Sequence, residues 1–319
     1  MRIPLLVLAA TLVATPALAD KIYTADGKTI TDVKIVEEGL QQVTYKDGRT
    51  ERTVASQDVL QVEFEERPRQ LDDAITSIED GDLESAMILL EDYVGGVLGG
   101  KEERRFRWAP AHAAWRVVEL KTSLGDTAGA IESAGLLIDS FPDSRYLPEA
   151  YMAKAEAAHM AQDAATAQET LKAFQNTIAT RGLSERWGIE CELALVTTDD
   201  TTTGPKRRSA LQKVADKAGK KFTAVRNSAL VAIGESYLAD LVAAPDKADE
   251  YLRHYIKYGD AAKHPDWMDE ARLAYTDRLA VLLADLLQAS PELEGPADHG
   301  RGRRELRLSG RPGLRANAR

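Results

Sequence analysis

Between residues 21 and 64 the chain alternates apolar and polar positions in short runs that are rich in β-branched side chains. This period of two is typical of β-strands that bury one face. Asp-Gly pairs at 26–27 and 47–48 and a Glu-Gly pair at 38–39 separate the runs, and glycine accepts the positive φ of tight hairpin turns. The pattern predicts strands near residues 21–24, 29–37, 41–46, 49–54 and 58–64. Their buried face is predicted to carry Val33, Ile35, Val43, Tyr45, Val54 and Val59, with Leu60 or Val62 as a further member.

Four or five short strands in 44 residues predict a small, strongly bent sheet or an SH3-like barrel, which we assign to residues 20–66. A unit of this size is close to the lower limit for a self-sufficient core, so we expect it to dock on the helices that follow. Small barrels that bind peptides or glycans usually present an aromatic cluster, whereas Tyr23 and Tyr45 are the only tyrosines of this segment. A structural or docking role is therefore favoured over a ligand site.

After residue 69 the apolar residues follow the i, i+3, i+4, i+7 spacing of a helix. Two such series flank Asp80-Gly81, which predicts a helical hairpin with a tight polar turn. The turn recurs at 124–126, in degenerate form at 161–163, and less clearly at 204–206 and 244–246. Steps of 37 to 44 residues between these turns match stacked α-hairpin repeats. Further helices are predicted near 183–197, 206–218, 222–243, 246–259 and 266–289, the last as a capping helix.

The spacing of Gly125, Ala130 and Pro142 resembles the turn glycine, second-helix alanine and terminal proline of the tetratricopeptide repeat, and Gly81 with Ala86 repeats the first interval. Residues 140–168 are also similar to repeats of bacterial cell-envelope proteins, such as the Tol-Pal-associated coordinator and the outer-membrane assembly lipoproteins. The resemblance covers residues 70–180 well and 180–290 weakly. It implies a mainly α fold, a TPR-like α-hairpin solenoid over 67–290 preceded by the β module. The resemblance implies no catalytic residue in this chain.

A glycine-rich insertion at 95–110, GGVLGGKEERRFRWAP, interrupts the array and contains Trp108, seven residues before Trp115. These two residues and Phe106 either seal the joint between the β module and the helices or anchor a partner peptide, because Trp and Arg dominate binding hot spots. The first interpretation is favoured. Solenoids bind partners on a concave face lined by the first helix of each hairpin. The candidate protein-binding residues are Trp108, Trp115, Arg116, Glu119, Tyr151, Lys154, Glu190 and Tyr237.

The first 19 residues are typical of a cleaved secretory signal peptide. Arg2 precedes an apolar run, and Ala17-Leu18-Ala19 before Asp20 fits the A-x-A cleavage pattern. The run is shorter than the roughly 20 residues of a spanning helix. A lipoprotein would carry cysteine just after the cleavage point, where this chain has Asp20. We expect a secreted or periplasmic protein that neither spans a membrane nor carries a lipid.

The formal net charge of -10 argues against nucleic-acid binding, which needs a concentrated basic face. The basic residues collect at the end of the chain, where seven arginines follow residue 300, so the body before the tail is more acidic still. Residues 291–319 show no sustained apolar period and are predicted to be a disordered basic tail. The single cysteine, Cys191, lies among apolar residues and is predicted to be buried.

The sequence contains no HExxH, paired Cys/His, EF-hand, G-x-S-x-G or phosphate-loop signature. The predictions are therefore no metal, no cofactor and no enzymatic activity. The function predicted is a cell-envelope scaffold that binds other envelope proteins or peptide segments on the concave face of the solenoid. The alternative is a peptidoglycan- or polysaccharide-binding protein that grips cell-wall polymer through the β module.

Overall fold

The structure is a computed structural model that describes residues 19–101 and 104–243. All of them lie within the first of the two units into which the chain divides, Met1–His264. They are mostly helical, with an N-terminal five-stranded antiparallel sheet. Several predicted features lie outside the described residues: the helices near 246–259 and 266–289, the turn at 244–246, the disordered tail at 291–319 and nearly all of the predicted signal peptide at 1–19.

The Asp-Gly pairs form the hairpin turns of the sheet, with φ of 80° at Gly27 and 60° at Gly48. The strand order is β4-β3-β2-β1-β5, and every neighbouring pair is antiparallel. A 3₁₀ turn, Ser56–Asp58, precedes β5. Each strand agrees with its predicted bounds to within one residue. The strands are β1 Asp20–Thr24, β2 Thr29–Glu38, β3 Gln42–Asp47, β4 Thr50–Ala55 and β5 Val59–Glu63.

One face of the sheet is buried much as the alternation predicts. Of the two alternatives on β5, Val62 is buried and Leu60 is 64% exposed. Val54 is only partly buried, while Ile22 and Phe64 belong to the core and were not predicted. The other predicted members are buried: Val33, Ile35, Val43, Tyr45 and Val59.

Nine helices follow in the described part of the chain. Residues 204–206, predicted as a turn, form the first turn of a helix; this prediction was wrong because proline is tolerated at the first helical positions, where its missing N–H is not needed. The helices are α1 Arg69–Glu79, α2 Leu83–Leu98, α3 Ala109–Ser123, α4 Thr127–Ser140, α5 Leu147–Met160, α6 Ala164–Arg181, α7 Glu185–Thr197, α8 Gly204–Ala218 and α9 Thr223–Ala243.

The three clearest repeat turns share one construction, which confirms the predicted periodicity. The middle residue of each takes a positive φ: 80° at Gly81, 73° at Gly125 and 61° at Gln162. The next residue is an aspartate whose carboxylate caps the following helix by accepting from a backbone N–H. Five residues after each turn residue, an alanine packs with at most 1% exposure: Ala86, Ala130 and Ala167.

Each helix packs on the next, and α3 also contacts α5, α5 contacts α7 and α7 contacts α9. Three successive cores result. The first joins the buried face of the sheet to α1–α5, the second lies within α5–α7 and the third within α7–α9. The sheet therefore docks on the helices, as its small size predicts. No helix in the described part of the chain has both the length and the apolar character needed to cross a membrane.

Candidate functional site

A groove of about 730 Å³ runs between β5 and helices α1 and α3. Strand β5 is outermost in the sheet, and its residues 60–63, together with residues 64 and 65 that follow it, all line the groove. Since successive side chains of a strand point to opposite faces, an unbroken run of lining residues means that the groove follows the strand's edge. The helical wall is formed by Ile75 and Glu79 of α1 and by His112, Trp115, Arg116 and Glu119 of α3.

Three of the residues predicted to bind a partner meet in this groove. Trp115 is partly exposed, and its ring stacks on Tyr146 with centroids 5.9 Å apart. Arg116 Nη1 donates to Glu119 Oε2 at 2.7 Å, and both side chains keep about a third or more of their surface accessible. On the opposite wall, Leu60 is an exposed apolar side chain. The groove thus offers apolar contacts on both walls and charged contacts on the helical wall.

Trp108, another predicted partner-binding residue, does not line the groove. It is 4% exposed, and its ring stacks on Phe64 with centroids 3.3 Å apart and planes 6° apart. Phe106 packs edge-on against it at 6.2 Å. Because Phe64 directly follows β5 and Trp108 caps α3, this stack joins the sheet to the helices.

The remaining four predicted residues lie on later odd-numbered helices and do not line the groove. All four are partly exposed. Tyr151 of α5 stacks on Phe174, and Lys154 lies one turn further along α5. Glu190 of α7 accepts from Arg186 Nε at 2.7 Å. Tyr237 of α9 lies under the guanidinium of Arg208 at 4.0 Å.

The base of the groove is a buried polar cluster that sequence reasoning missed: Glu38, His112, Arg145 and Tyr146. The last three of these residues line the groove. Arg145 Nε donates to Glu38 Oε1 at 2.5 Å, with 8% and 1% of the two side chains exposed. The Tyr146 hydroxyl lies 3.0 Å and 3.2 Å from the two oxygens of Glu38 and 2.7 Å from His112 Nδ1. The cluster connects the end of β2 to the start of α5 across 107 residues of chain.

The backbone reinforces this connection. Leu40 N–H donates to Asp143 O at 2.6 Å, Arg145 N–H donates to Glu38 O at 3.1 Å, and Gly39 bridges to Ser144. The turn between β2 and β3 is therefore fastened to the loop before α5, and the floor of the groove is held in place.

Burial sets the protonation of the cluster. It lowers the pKa of His112 to about 3, with the nearby Arg116 and Arg145 adding to the effect, so the imidazole is neutral at physiological pH. Burial also raises the pKa of Tyr146, and it raises the pKa of Glu38 against the pull of Arg145. Arg145 keeps its charge and donates hydrogen bonds to both Glu38 and Tyr146. The cluster therefore has a structural role, which is to hold the sheet against the helices.

No three His, Cys, Asp or Glu side chains converge on a metal position within residues 19–101 and 104–243. Cys191 is fully buried, as predicted, and its thiol donates to Leu171 O at 3.3 Å. Burial raises the pKa of this thiol to about 11, which leaves little of the reactive thiolate.

No protein-family model matches the chain, and no curated protein matches it. Among solved structures, one crystal structure of MamA protein is 18% identical, with a TM-score of 0.42, over 60% of this chain and 91% of that chain. A second crystal structure of MamA is 17% identical, with a TM-score of 0.40, over 60% of this chain and 97% of that chain. Neither likeness is close enough to carry a function over to this chain.

Proposed function

We propose that the protein is a non-catalytic scaffold that binds an extended segment of a partner protein in the groove along β5. The observation that carries this proposal is the run of consecutive β5 residues lining the groove at the outer edge of the sheet. The edge of a strand presents backbone N–H and C=O groups to which another strand can pair. Peptide recognition by strand addition uses these groups for affinity and flanking side chains for specificity.

The dimensions suit such a partner. Five residues of β5 span about 17 Å of edge at about 3.4 Å per residue. Trp115 and Leu60 offer apolar contacts on the two walls, while Arg116 and Glu119 offer charges of both signs. A partner strand paired with β5 would turn one alternate set of its side chains toward the helical wall, which carries both Trp115 and the Arg116–Glu119 ion pair.

The odd-numbered helices extend this surface in the proposal. Helices α3, α5, α7 and α9 contact one another in order, and each carries partly exposed residues that the sequence singled out. We propose that they form the inner face of a TPR-like solenoid. Tyr151, Lys154, Glu190 and Tyr237 would contact the part of the partner that continues beyond the groove.

The compartment is also part of the proposal. The charged start, apolar run and A-x-A pattern of the first 19 residues support export to the periplasm or beyond. The partners would then be other proteins of the cell envelope.

Site-specific photocrosslinking in living cells tests the groove. A photoreactive amino acid at Leu60, which is 64% exposed on the groove wall, should capture a reproducible partner protein. The matched control is Ile88, which is 55% exposed on α2 and does not line the groove. Arg116→Ala should weaken capture from Leu60 without unfolding the protein, since Arg116 is partly exposed.

The same experiment separates the polymer-binding alternative. If Leu60 captures only cell-wall fragments, or if Leu60 and Ile88 capture the same proteins, the groove proposal is wrong. Point variants are needed because deleting residues 21–66 would strip the sheet from a core that it shares with α1–α5.

A further inference from the structure

A second cleft, separate from the β5 groove, lies where the sheet meets the loop between α6 and α7. Its volume is about 280 Å³. The sheet contributes the turn after β2 and the residues around the 3₁₀ turn, and the helices contribute the start of α5 and the residues that lead into α7. The lining includes Leu40, Pro148, Glu149, Leu183, Ser184 and Trp187.

Two polar atoms of the lining are buried and have no hydrogen-bond partner within the described residues: Glu149 Oε2 and Ser184 Oγ. Buried polar atoms almost always have a partner, since leaving one without costs the desolvation of that group. Ser184 occupies the N-cap position of α7, yet its hydroxyl makes no capping bond to the helix. Two hydrogen-bond acceptors that belong to distant parts of the chain thus lie in one cleft.

The charges around the cleft leave Glu149 as the acceptor for a cation. Arg145 is bound to Glu38, and Arg186 is bound to Glu190. No ion pair to Glu149 occurs in the part of the chain that the structure describes. Burial raises the pKa of Glu149 to about 7, against the smaller opposing effects of its own backbone N–H and of the charges on Arg145 and Arg186.

Part of the remaining lining is apolar and suits an aliphatic chain, beside the polar side chains of Gln41, Ser56 and Gln57. Leu40, Pro148, Leu183 and the Trp187 ring give the cleft apolar walls. The Glu149 carboxylate also accepts from its own backbone N–H, which leaves Oε2 as the free oxygen. A single free oxygen favours the point charge of an ammonium over a guanidinium, whose planar fork is best matched by two parallel acceptors.

We propose that this cleft binds a primary ammonium group on an unbranched aliphatic stem, with Glu149 Oε2 and Ser184 Oγ accepting two of its hydrogen bonds. The ammonium group has three N–H donors, and the stem lies against the apolar walls. Such a group is found on a lysine side chain of another protein and on a free alkylamine.

The experiment is a titration of the purified protein at pH 8, where the Glu149 carboxyl is mostly ionised, followed by the indole N–H resonance of Trp187. The probes are N-acetyl-lysine N-methylamide and n-butylamine. Their neutral counterparts, N-acetyl-norleucine N-methylamide and n-butanol, are the ligand controls. Trp187→Phe assigns the resonance.

Saturable binding of an amine probe, and not of its neutral counterpart, is the expected result. Glu149→Gln, which keeps the shape of the side chain, should weaken it at least tenfold, and Ser184→Ala should weaken it by a smaller factor. The control variant is Glu156→Gln, an exposed carboxyl on the same helix, which should bind like the wild type.

Binding of the lysine derivative alone would identify a protein side chain as the source, and binding of butylamine alone would identify a free amine. The proposal is overturned if neither amine saturates the site, if the neutral counterparts bind equally well, or if Glu149→Gln leaves the affinity unchanged. In those cases the cleft holds water only. Because the titration needs no partner protein, its outcome is independent of the groove proposal.

Discussion

Replacing Arg145 with methionine tests how strongly the buried joint holds the sheet to the helices. The change removes the partner of a carboxylate whose side chain is 1% exposed and leaves Glu38 with the Tyr146 hydroxyl. Removing one member of a buried ion pair typically costs about 3–5 kcal/mol, because the other charge stays buried without compensation. We expect Arg145→Met to lower the free energy of unfolding by an amount in that range.

The double variant Glu38→Leu/Arg145→Met shows how much of the loss in unfolding free energy comes from leaving Glu38 charged and buried, and how much comes from losing the attraction between Glu38 and Arg145. It removes both charges and leaves the Tyr146 hydroxyl with His112 Nδ1 as its partner at 2.7 Å. Replacing both charges with apolar side chains of similar size is often close to neutral. The double variant should therefore be more stable than Arg145→Met by about 2 kcal/mol or more.

Urea unfolding followed by circular dichroism and by tryptophan fluorescence gives these differences. The control is Arg69→Met, which breaks the exposed pair with Asp73, where Arg69 is 94% exposed, and should cost less than about 1 kcal/mol. A loss below about 1 kcal/mol for Arg145→Met would refute the reasoning, as would a double variant no more stable than the single one.

Two further predictions concern the helices. The folded-state pKa of Glu149, about 7, lies above the ordinary value of 4.5, so the native state binds this proton more tightly and the protein loses stability as the pH rises between these values. Glu149→Gln should thus match the wild type near pH 4 and exceed it by at most about 3 kcal/mol at pH 8 in urea unfolding; equal stability at both pH values would contradict the assignment. Asp126→Ala removes the carboxylate that accepts from Gly129 N–H at 2.9 Å and should cost about 1 kcal/mol in thermal unfolding, whereas Glu132→Ala within the same helix should cost less.

The local elements could be predicted because their signals are local. Asp-Gly pairs at hairpin turns and the tight polar turns between helices each need only a few adjacent residues, and both were found from the sequence. The capping role of the aspartate after each turn residue was not predicted. The choice between Leu60 and Val62 could not be made, because a register shift between β1 and β5 at Tyr23/Thr24 sets which side chain faces the core. The turn predicted at 204–206 was wrong because a Gly-Pro pair fits the start of a helix as well as a turn.

The sites depend on contacts between distant parts of the chain. Glu38 and Arg145 each look like ordinary surface charges in sequence, and only the packing of β2 against the loop before α5 buries them together. Trp115, Arg116 and Glu119 were singled out from the sequence and line the groove, but the groove itself was not predicted. Its other wall, the edge of β5, could not be predicted because strand order is not encoded in the alternation of any one strand.

The shared core of the sheet and α1–α5 also bears on how such a chain can lengthen in evolution. Helices α7, α8 and α9 share a core that the sheet does not enter. A duplicated helical hairpin inserted among these helices would pack against other helical hairpins on both sides. The same insertion among α1–α5 would displace side chains that contact the sheet. We therefore expect added repeats to be tolerated better around α7–α9 than among α1–α5.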